Sequence, residues 1–528
     1  MAAAEPLLGT RTLWELVDRR AAATPDRTLL SDEHGRHLTC AELRDAVERC
    51  AAGLFDLGIR AGTTVSWQLP TRFETVVLSC ALARLGAVQN PVIPIYGARE
   101  VGAMLAQAAS EWFVVPSAWR GVDYAAMAGE LCAATEHGCT PLVVDARIGE
   151  PGFPAGDPAD LPPPPAPADD PADEEVRWIY TTSGTTSLPK GVLHTDATLI
   201  AGGTGLGVAL EPLDDDVVVF PVPFAHIGGP DGLVVFLTWG VHAVLMEMFV
   251  PALAVALMRE HGAAYTGGAT AMYQALLAEQ RAHPDAPLAP TLRHLMGGGG
   301  PKPPELFFEV QREMGVRIIH GYGMTECPMI ANGSPSDTDE QLAYTDGKPV
   351  RGAEVRIVRD DGSTAAPDEQ GAVRVRGPML FRGYLDPAQT AEAFDADGFF
   401  ATGDLGVLRA DGHVMVTGRT KDVIIRKGEN IGAQEVESVL YEHPSVGAVA
   451  VIGLPDAERG ERVCAVVELV DGAAPLTLAD VQAHCRAAGL SQRKWPEQLE
   501  IVDEMPRNPT MKILKFKLEE DLADKEPS

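Results

Sequence analysis

Basic residues are scarce in this chain: 43 Lys and Arg stand against 74 Asp and Glu, a formal net charge of −31 over 528 residues. A field of that sign repels nucleic-acid phosphates and anionic lipid headgroups, so no nucleic acid is expected as a partner. Closely spaced cysteine pairs are also missing. The eight cysteines are dispersed and none forms the C-x-x-C pattern of zinc and redox sites, which leaves reduced, mostly buried thiols as the expectation. No long apolar run is intact either. The most apolar stretch, residues 232–258, is broken by His242, Glu247 and Pro251, so it reads as buried strands and a core helix, with no transmembrane segment. The first residues show no basic segment leading into an apolar one, so secretion is not indicated and the cytoplasm is the expected location. No repeat of fixed period is visible.

What is present suits a globular protein, with 46% hydrophobic and 22% charged residues. Single cores stop growing near ~250–300 residues, so a chain of this length divides into two to four units. Residues 10–60 read as helices around a short hairpin. Strand-like runs (TTVSWQLP, GAVQNPVIP, WFVVP, PLVVD) then alternate with helical ones (RFETVVLSCALARL, AREVGAMLAQA), the rhythm of α/β layers. The Pro- and Asp-rich residues 151–175 cannot enter a ladder or a helix and read as a surface connection. Strand and helix units continue to about residue 340. Short strands with Asp-Gly turns mark a β-rich subdomain at about 345–418, and residues after about 422 read as a separate small α/β unit.

Residues 180–191, YTTSGTTSLPKG, place a loop of small and hydroxyl residues directly after a strand. Hydroxyls and backbone N–H groups in such a loop can surround a polyphosphate; composition alone serves a flexible surface turn equally well. It is no Walker A loop, because Lys190 follows Pro189 and precedes Gly191.

Six further segments stand in a fixed order after it: PVPFAHIGG (221–229), GGGGPKP (297–303), GYGMTE (321–326), GYLDPAQTAEAFDADGFFATGDLG (383–406), GRTKDVIIRKGENIGAQEVE (418–437) and PRNPTMKILKFKL (506–518). With them the chain resembles the adenylate-forming superfamily, in its acyl-CoA synthetase branch, over roughly residues 12–518. The resemblance implies an α/β fold: a large N-terminal domain (1–418) of two α/β layers plus the β-rich subdomain, a hinge (419–422), and a small mobile α+β C-terminal domain (423–528). Two departures show, Ser187 and Met511 standing where members usually have Gly.

The implied reaction brings a carboxylate onto the α-phosphorus of ATP, an approach of two anions that demands positioned cations and N–H donors. By resemblance, Thr182, Ser183, Gly184, Thr185, Thr186 and Lys190 embrace the phosphates, Thr185 and Glu326 stand at Mg²⁺, and Thr325 holds the α-phosphate. Oxygen ligands suit that hard cation; the other reading of Glu326 is an acid stabilising a helix N-terminus. Asp404 is the implied ribose ligand, assisted by Arg419; a carboxylate in this setting is otherwise a turn residue. Tyr322 is expected to stack on adenine, with Gly299, Gly300 and Pro301 letting backbone approach the base. Lys512 is the implied catalytic cation bridging carboxylate and α-phosphate; taken alone it would be a surface charge.

The second implied half-reaction transfers the acyl group to the thiol of coenzyme A, with Lys421 at the hinge. Gly428 reads equally as a turn glycine or as a residue beside the pantetheine arm. His226 matches a gate between acyl pocket and thiol tunnel, its other reading being a core histidine. Gly228, Gly298, Met324 and Cys327 are expected to wall the acyl pocket. No Asp stands in Phe224-Ala225-His226 to pair with an ammonium, which argues against an α-amino acid. The small carboxylic acid is expected to be a medium-chain fatty acid or an alicyclic or aryl acid. Two alternatives stay open: an acyl-AMP ligase that loads a carrier-protein phosphopantetheine, and an inactive nucleotide-binding protein. A monomer and a homodimer are equally compatible with the sequence.

Overall fold

Two runs in the first half of the chain carry no polar face, FETVVLSCALARL and GGPDGLVVFLTW. Such helices must be buried on all sides. The computed structural model describes all residues except 1–2, 183–189, 428, 457–458, 471, 508–510, 524 and 526–528. It places these runs as helices Phe73–Leu85 and Gly228–Trp239, with every residue of the first buried. One continuous apolar core includes both, together with strand residues such as Val65 and Trp178 from one sheet and Val218 and Leu245 from another.

The sheets are a nine-stranded and a seven-stranded one, the α/β layers expected from the alternating runs. In the nine-stranded sheet, Val217–Phe220, Tyr265–Gly268, His294–Gly298 and Arg317–Met324 run parallel, each crossing by a helix as parallel strands require. In the seven-stranded sheet, Trp178–Thr182 and Lys190–His194 form a hairpin with Thr182 opposite Lys190. Its outer edge is closed by the short strand Gly383–Tyr384, with Val192 opposite Tyr384.

The β-rich region is a four-stranded antiparallel sheet of Glu354–Val358, Gln370–Arg376, Phe400–Leu408 and Val414–Arg419. A 3₁₀ turn, Thr420–Asp422, follows. Another sheet begins at Val423 and takes no strand from earlier in the chain. Residues 151–175 stay out of the sheets, as expected, but hold two short 3₁₀ turns, Pro158–Asp160 and Pro171–Asp173. The first is set by the Asp157 side chain accepting from the Ala159 N–H, a proline-tolerant local bond that apolar periodicity does not reveal.

Arg20 shows how the first helix braces this frame. It is buried, and its guanidinium donates to the carbonyls of Leu237 (2.6 Å) and Thr238 (2.7 Å). Those are carbonyls at the C-terminal end of helix Gly228–Trp239, which lack partners within the helix. The opposite end of that helix carries Gly228, two residues after His226. No helix of the described residues is long and apolar enough to cross a membrane.

Candidate active site

Parallel strands present their carboxyl ends at one rim, where α/β proteins bind ligands. Strand His294–Gly298 ends there and runs into Gly299, Gly300 and Pro301, while Arg317–Met324 delivers Tyr322 and Met324. Two side chains anchor the glycine loop by its carbonyls: His320 Nε2 lies 2.9 Å from the Gly300 oxygen and Thr270 Oγ1 donates to Pro301 at 2.8 Å. Burial pushes the His320 imidazole down to about 3, so it is neutral and its proton sits on the nitrogen facing the carbonyl. The glycines differ in what they permit. A Cβ on Gly298 would lie 2.4 Å from the Gly321 oxygen, whereas at Gly299 and Gly300 it would meet open space. Gly298 is therefore required by the neighbouring strand, and the next two leave room for a ligand.

Thr325 and Glu326 form the turn between Arg317–Met324 and Cys327–Asn332. This excludes the helix-terminus reading of Glu326, because no helix begins there. Glu326 is buried, and its Oε1 accepts from the Tyr384 hydroxyl at 2.9 Å. Among the described residues it makes no ion pair within 4 Å, and burial pushes its carboxyl up, opposed by that hydroxyl and by the nearby charges of Lys190 and Arg419. The Lys190 ammonium stands 4.8 Å from the centre of the Tyr384 ring. His194 holds the Thr325 carbonyl through Nε2 at 2.8 Å; burial lowers its pKa to about 4, so the ring is neutral and Nε2 carries the proton.

Asp404 lies inside strand Phe400–Leu408 and is buried, not the turn residue its local sequence would also allow. Arg419, its direct partner in the ladder, donates from Nε to Oδ1 at 3.0 Å. The Tyr322 hydroxyl donates to Oδ2 at 2.5 Å. Lys512, from the far end of the chain, feels the charges of Arg419, Asp404 and Asp422. Its residue is more than a third exposed overall, yet protein crowds its ammonium, and this desolvation with the charge of Arg419 lowers its pKa to about 8, against the pull of Asp404 and Asp422.

His226 lies beside Thr325, Thr181 and Tyr180 on a cavity of about 20 Å³, room for one water. The crowding of its ring lowers the pKa to about 4, and its Nδ1 accepts from the Gly228 N–H at 3.2 Å, which leaves the proton on Nε2. Cys327 is fully buried opposite Met324 in the ladder, and burial pushes its thiol far up, away from the state of a nucleophile. Lys421 sits on the Thr420–Asp422 turn. Thr182 closes the strand before the phosphate-loop candidate. Ser183, Gly184, Thr185 and Thr186, like Gly428, lie outside the described residues.

Sequence reasoning assigned no role to Tyr384, His194 or His320. Tyr384 lay within the quoted GYLDP segment, and His320 directly precedes GYGMTE, so both carried a positional signal.

Against known proteins, the model of the AMP-binding enzyme matches residues 17–385, and that of the AMP-binding enzyme C-terminal domain matches residues 435–512. The chain belongs to the AMP-binding enzyme family. Among members of that family, the medium-chain fatty-acid–CoA ligase of Escherichia coli (strain K12) is 30% identical over 98% of this chain and 91% of its own. The salicyl-AMP ligase/salicyl-S-ArCP synthetase of Mycobacterium tuberculosis (strain ATCC 25618 / H37Rv) is 33% identical over 95% and 89%. ATP-bound MatB from Rhodopseudomonas palustris superposes with a TM-score of 0.85 at 28% identity, covering 97% of this chain and 99% of that one. The o-succinylbenzoate CoA synthetase of Bacillus subtilis, in complex with its acyl-adenylate intermediate, gives 0.83 at 27% identity, covering 99% and 100%. This AMP-binding enzyme is accordingly an AMP-forming ligase with a large N-terminal and a smaller C-terminal part.

Proposed function

We propose that the enzyme is an ATP-dependent carboxylic acid:coenzyme A ligase acting in the cytoplasm on a medium-chain fatty or an alicyclic or aryl acid. The carboxylate oxygen attacks the α-phosphorus of ATP, the α–β anhydride bond breaks, and pyrophosphate leaves. The thiol sulfur of coenzyme A then attacks the acyl carbon, AMP departs, and the thiol proton passes to solvent. The observation that supports this reading is the buried Asp404, held by Arg419 at 3.0 Å and Tyr322 at 2.5 Å, whose charge together with that of Arg419 is felt by Lys512 of the C-terminal part.

In this reading Asp404 accepts from ribose hydroxyls through lone pairs that Arg419 and Tyr322 leave open, since an ionised carboxylate offers about four acceptor sites. Gly299, Gly300 and Pro301 face the base beside the Tyr322 ring. Lys512 opposes the charge gathering between the incoming carboxylate and the α-phosphate, where a fixed cation lowers the barrier most. Thr182, Thr325 and Lys190, with Ser183, Gly184, Thr185 and Thr186, serve the phosphates.

Glu326 fits Mg²⁺: it is a buried carboxylate with one hydroxyl donor and no ion pair among the described residues, a charge that a divalent cation would offset. Thr185 would join it. The ion, when bound, shields the phosphate charge.

Neutral His226, with Gly228, Gly298, Met324 and Cys327, walls the acid side. The cavity beside His226, lined also by Tyr180, Thr181 and Thr325, is about 20 Å³ and holds no acyl group, so the acid needs this region to open. Lys421 marks the hinge, about which residues 423–528 turn between half-reactions, and Gly428 borders the pantetheine arm.

The test is pyrophosphate release across linear, alicyclic and aryl acids, each with and without coenzyme A, followed by mass spectrometry. Acyl-CoA from one class supports the proposal. Acyl-AMP that passes only to a carrier-protein phosphopantetheine, the chemistry named for the mycobacterial relative, would replace it.

A further inference from the structure

Among the dispersed cysteines, two come together in the fold. Cys132 lies in the last turn of helix Tyr124–Ala134, and Cys139 directly precedes the edge strand Thr140–Val143. Their sulfurs are 3.0 Å apart. Both are free thiols, Cys132 buried and Cys139 half-buried. Cysteines that lie face to face this closely need a shift of only about 1 Å to reach the S–S bond length.

The approach is built into the backbone. The Thr135 hydroxyl donates to the Cys132 carbonyl at 2.8 Å, which stops the helix just after the first thiol. His137 then pins the connection, its Nε2 lying 3.1 Å from the Ser110 carbonyl. Gly138 reverses the chain at φ +78°, a conformation open to glycine and costly for other residues. Thr140 finally enters the sheet by donating its N–H to the Glu111 carbonyl at 2.8 Å. The two thiols thus face each other without any rearrangement of the helix or strand.

We infer that Cys132 and Cys139 form a site of reversible oxidation, closing an intramolecular disulfide when the protein meets a low-molecular-weight disulfide. Cys139, the more accessible thiol, gives up its proton and attacks one sulfur of oxidised glutathione, and one glutathione leaves as a thiolate. Cys132 gives up its proton and attacks the Cys139 sulfur of the mixed disulfide, releasing the second glutathione. Two protein thiols are oxidised and one glutathione disulfide is reduced, the two departing glutathione thiolates taking up, through solvent, the two protons that the cysteines gave up. The product staples the end of the helix to the outermost strand of the seven-stranded sheet.

The experiment incubates the folded full-length chain with excess oxidised glutathione, then alkylates under denaturing conditions and digests without reductant. The expected result is an intact mass lower by about 2 Da before alkylation, the mass of two hydrogens. Six alkylated cysteines should accompany it, with one crosslinked peptide pair containing Cys132 and Cys139. Reduction should restore eight. Cys139→Ser, at a half-exposed position, should abolish the crosslink with an unchanged melting curve; the wild-type peptide map decides the question even if that variant melts early. Eight alkylated cysteines after oxidation would overturn the inference. So would a crosslink between another pair such as Cys50 and Cys80, or a persistent glutathione adduct on Cys139 beside an alkylatable Cys132.

Discussion

The two buried carboxylates of the candidate active site are held in opposite ways. Asp404 has an arginine on one oxygen and a tyrosine on the other, and its charge is felt by the lysine of the C-terminal part. Glu326 has a tyrosine on one oxygen and, among the described residues, no cation within ion-pair distance. A buried charge without a partner is expensive, and a carboxylate in that state gains most from a small cation. The charge at the first corner is met by a cation of the protein, and among the described residues the charge at the second is not.

The largest effect should come from the lysine of the C-terminal part. Lys512→Ala is expected to cut acid-dependent pyrophosphate release by about 10³-fold, near the upper effect of losing one transition-state donor. Thioester formation from supplied acyl-AMP should persist; if both half-reactions survive, Lys512 has been misassigned. Glu326→Gln should lower pyrophosphate release by on the order of 10²-fold and raise the Mg²⁺ concentration needed for half the maximal rate.

Stability should then separate the two carboxylates. Burial makes the folded chain hold the Glu326 proton more tightly than the unfolded chain, so this group costs stability once pH rises above the ordinary carboxylate range. Glu326→Gln should therefore leave denaturant stability at pH 7 unchanged or higher. Asp404→Asn strands Arg419 and should cost about 1–2 kcal/mol, less than a fully buried pair because Arg419 is partly exposed. Equal losses for both variants would erase the contrast.

A pH profile sharpens it further. With its pKa lowered to about 8, Lys512 loses its charge as pH rises through that value, and kcat/KM for adenylation should fall there. Lys512→Arg, which keeps its charge, should flatten that limb at a lower rate. The linked effect on folding has the opposite sign: charging this lysine costs the folded state at low pH, and the cost fades from about pH 8 toward 10.5. The smallest effect is expected from Tyr384→Phe, which removes one hydrogen bond to Glu326 and should cost about 1 kcal/mol of stability and severalfold in Mg²⁺ response.

The alternation of strands and helices, the β-rich insertion and the separate last unit were all legible, because burial on one face or both leaves its period in the sequence. The order of the segments also singled out Asp404 and Arg419, which the structure pairs in one ladder. Tyr384 was not legible. Its reach to Glu326 depends on the pairing of Gly383–Tyr384 with Lys190–His194, a contact between residues almost two hundred apart that no local pattern encodes. His194 and His320 escaped for a related reason. Each acts by holding one backbone carbonyl, of Thr325 and of Gly300, and a carbonyl's need for a partner becomes visible only once the loop is folded.

The short strand Gly383–Tyr384 also bears on how the protein is made. It covers the edge of a sheet whose other strands all lie before residue 195, so that sheet stays unfinished until synthesis has passed residue 384. Through that interval the strand Lys190–His194 offers unpaired backbone to any neighbouring chain, the hazard carried by every open edge. A polypeptide stopped between these two points should collect as aggregate, because that edge then stands bare.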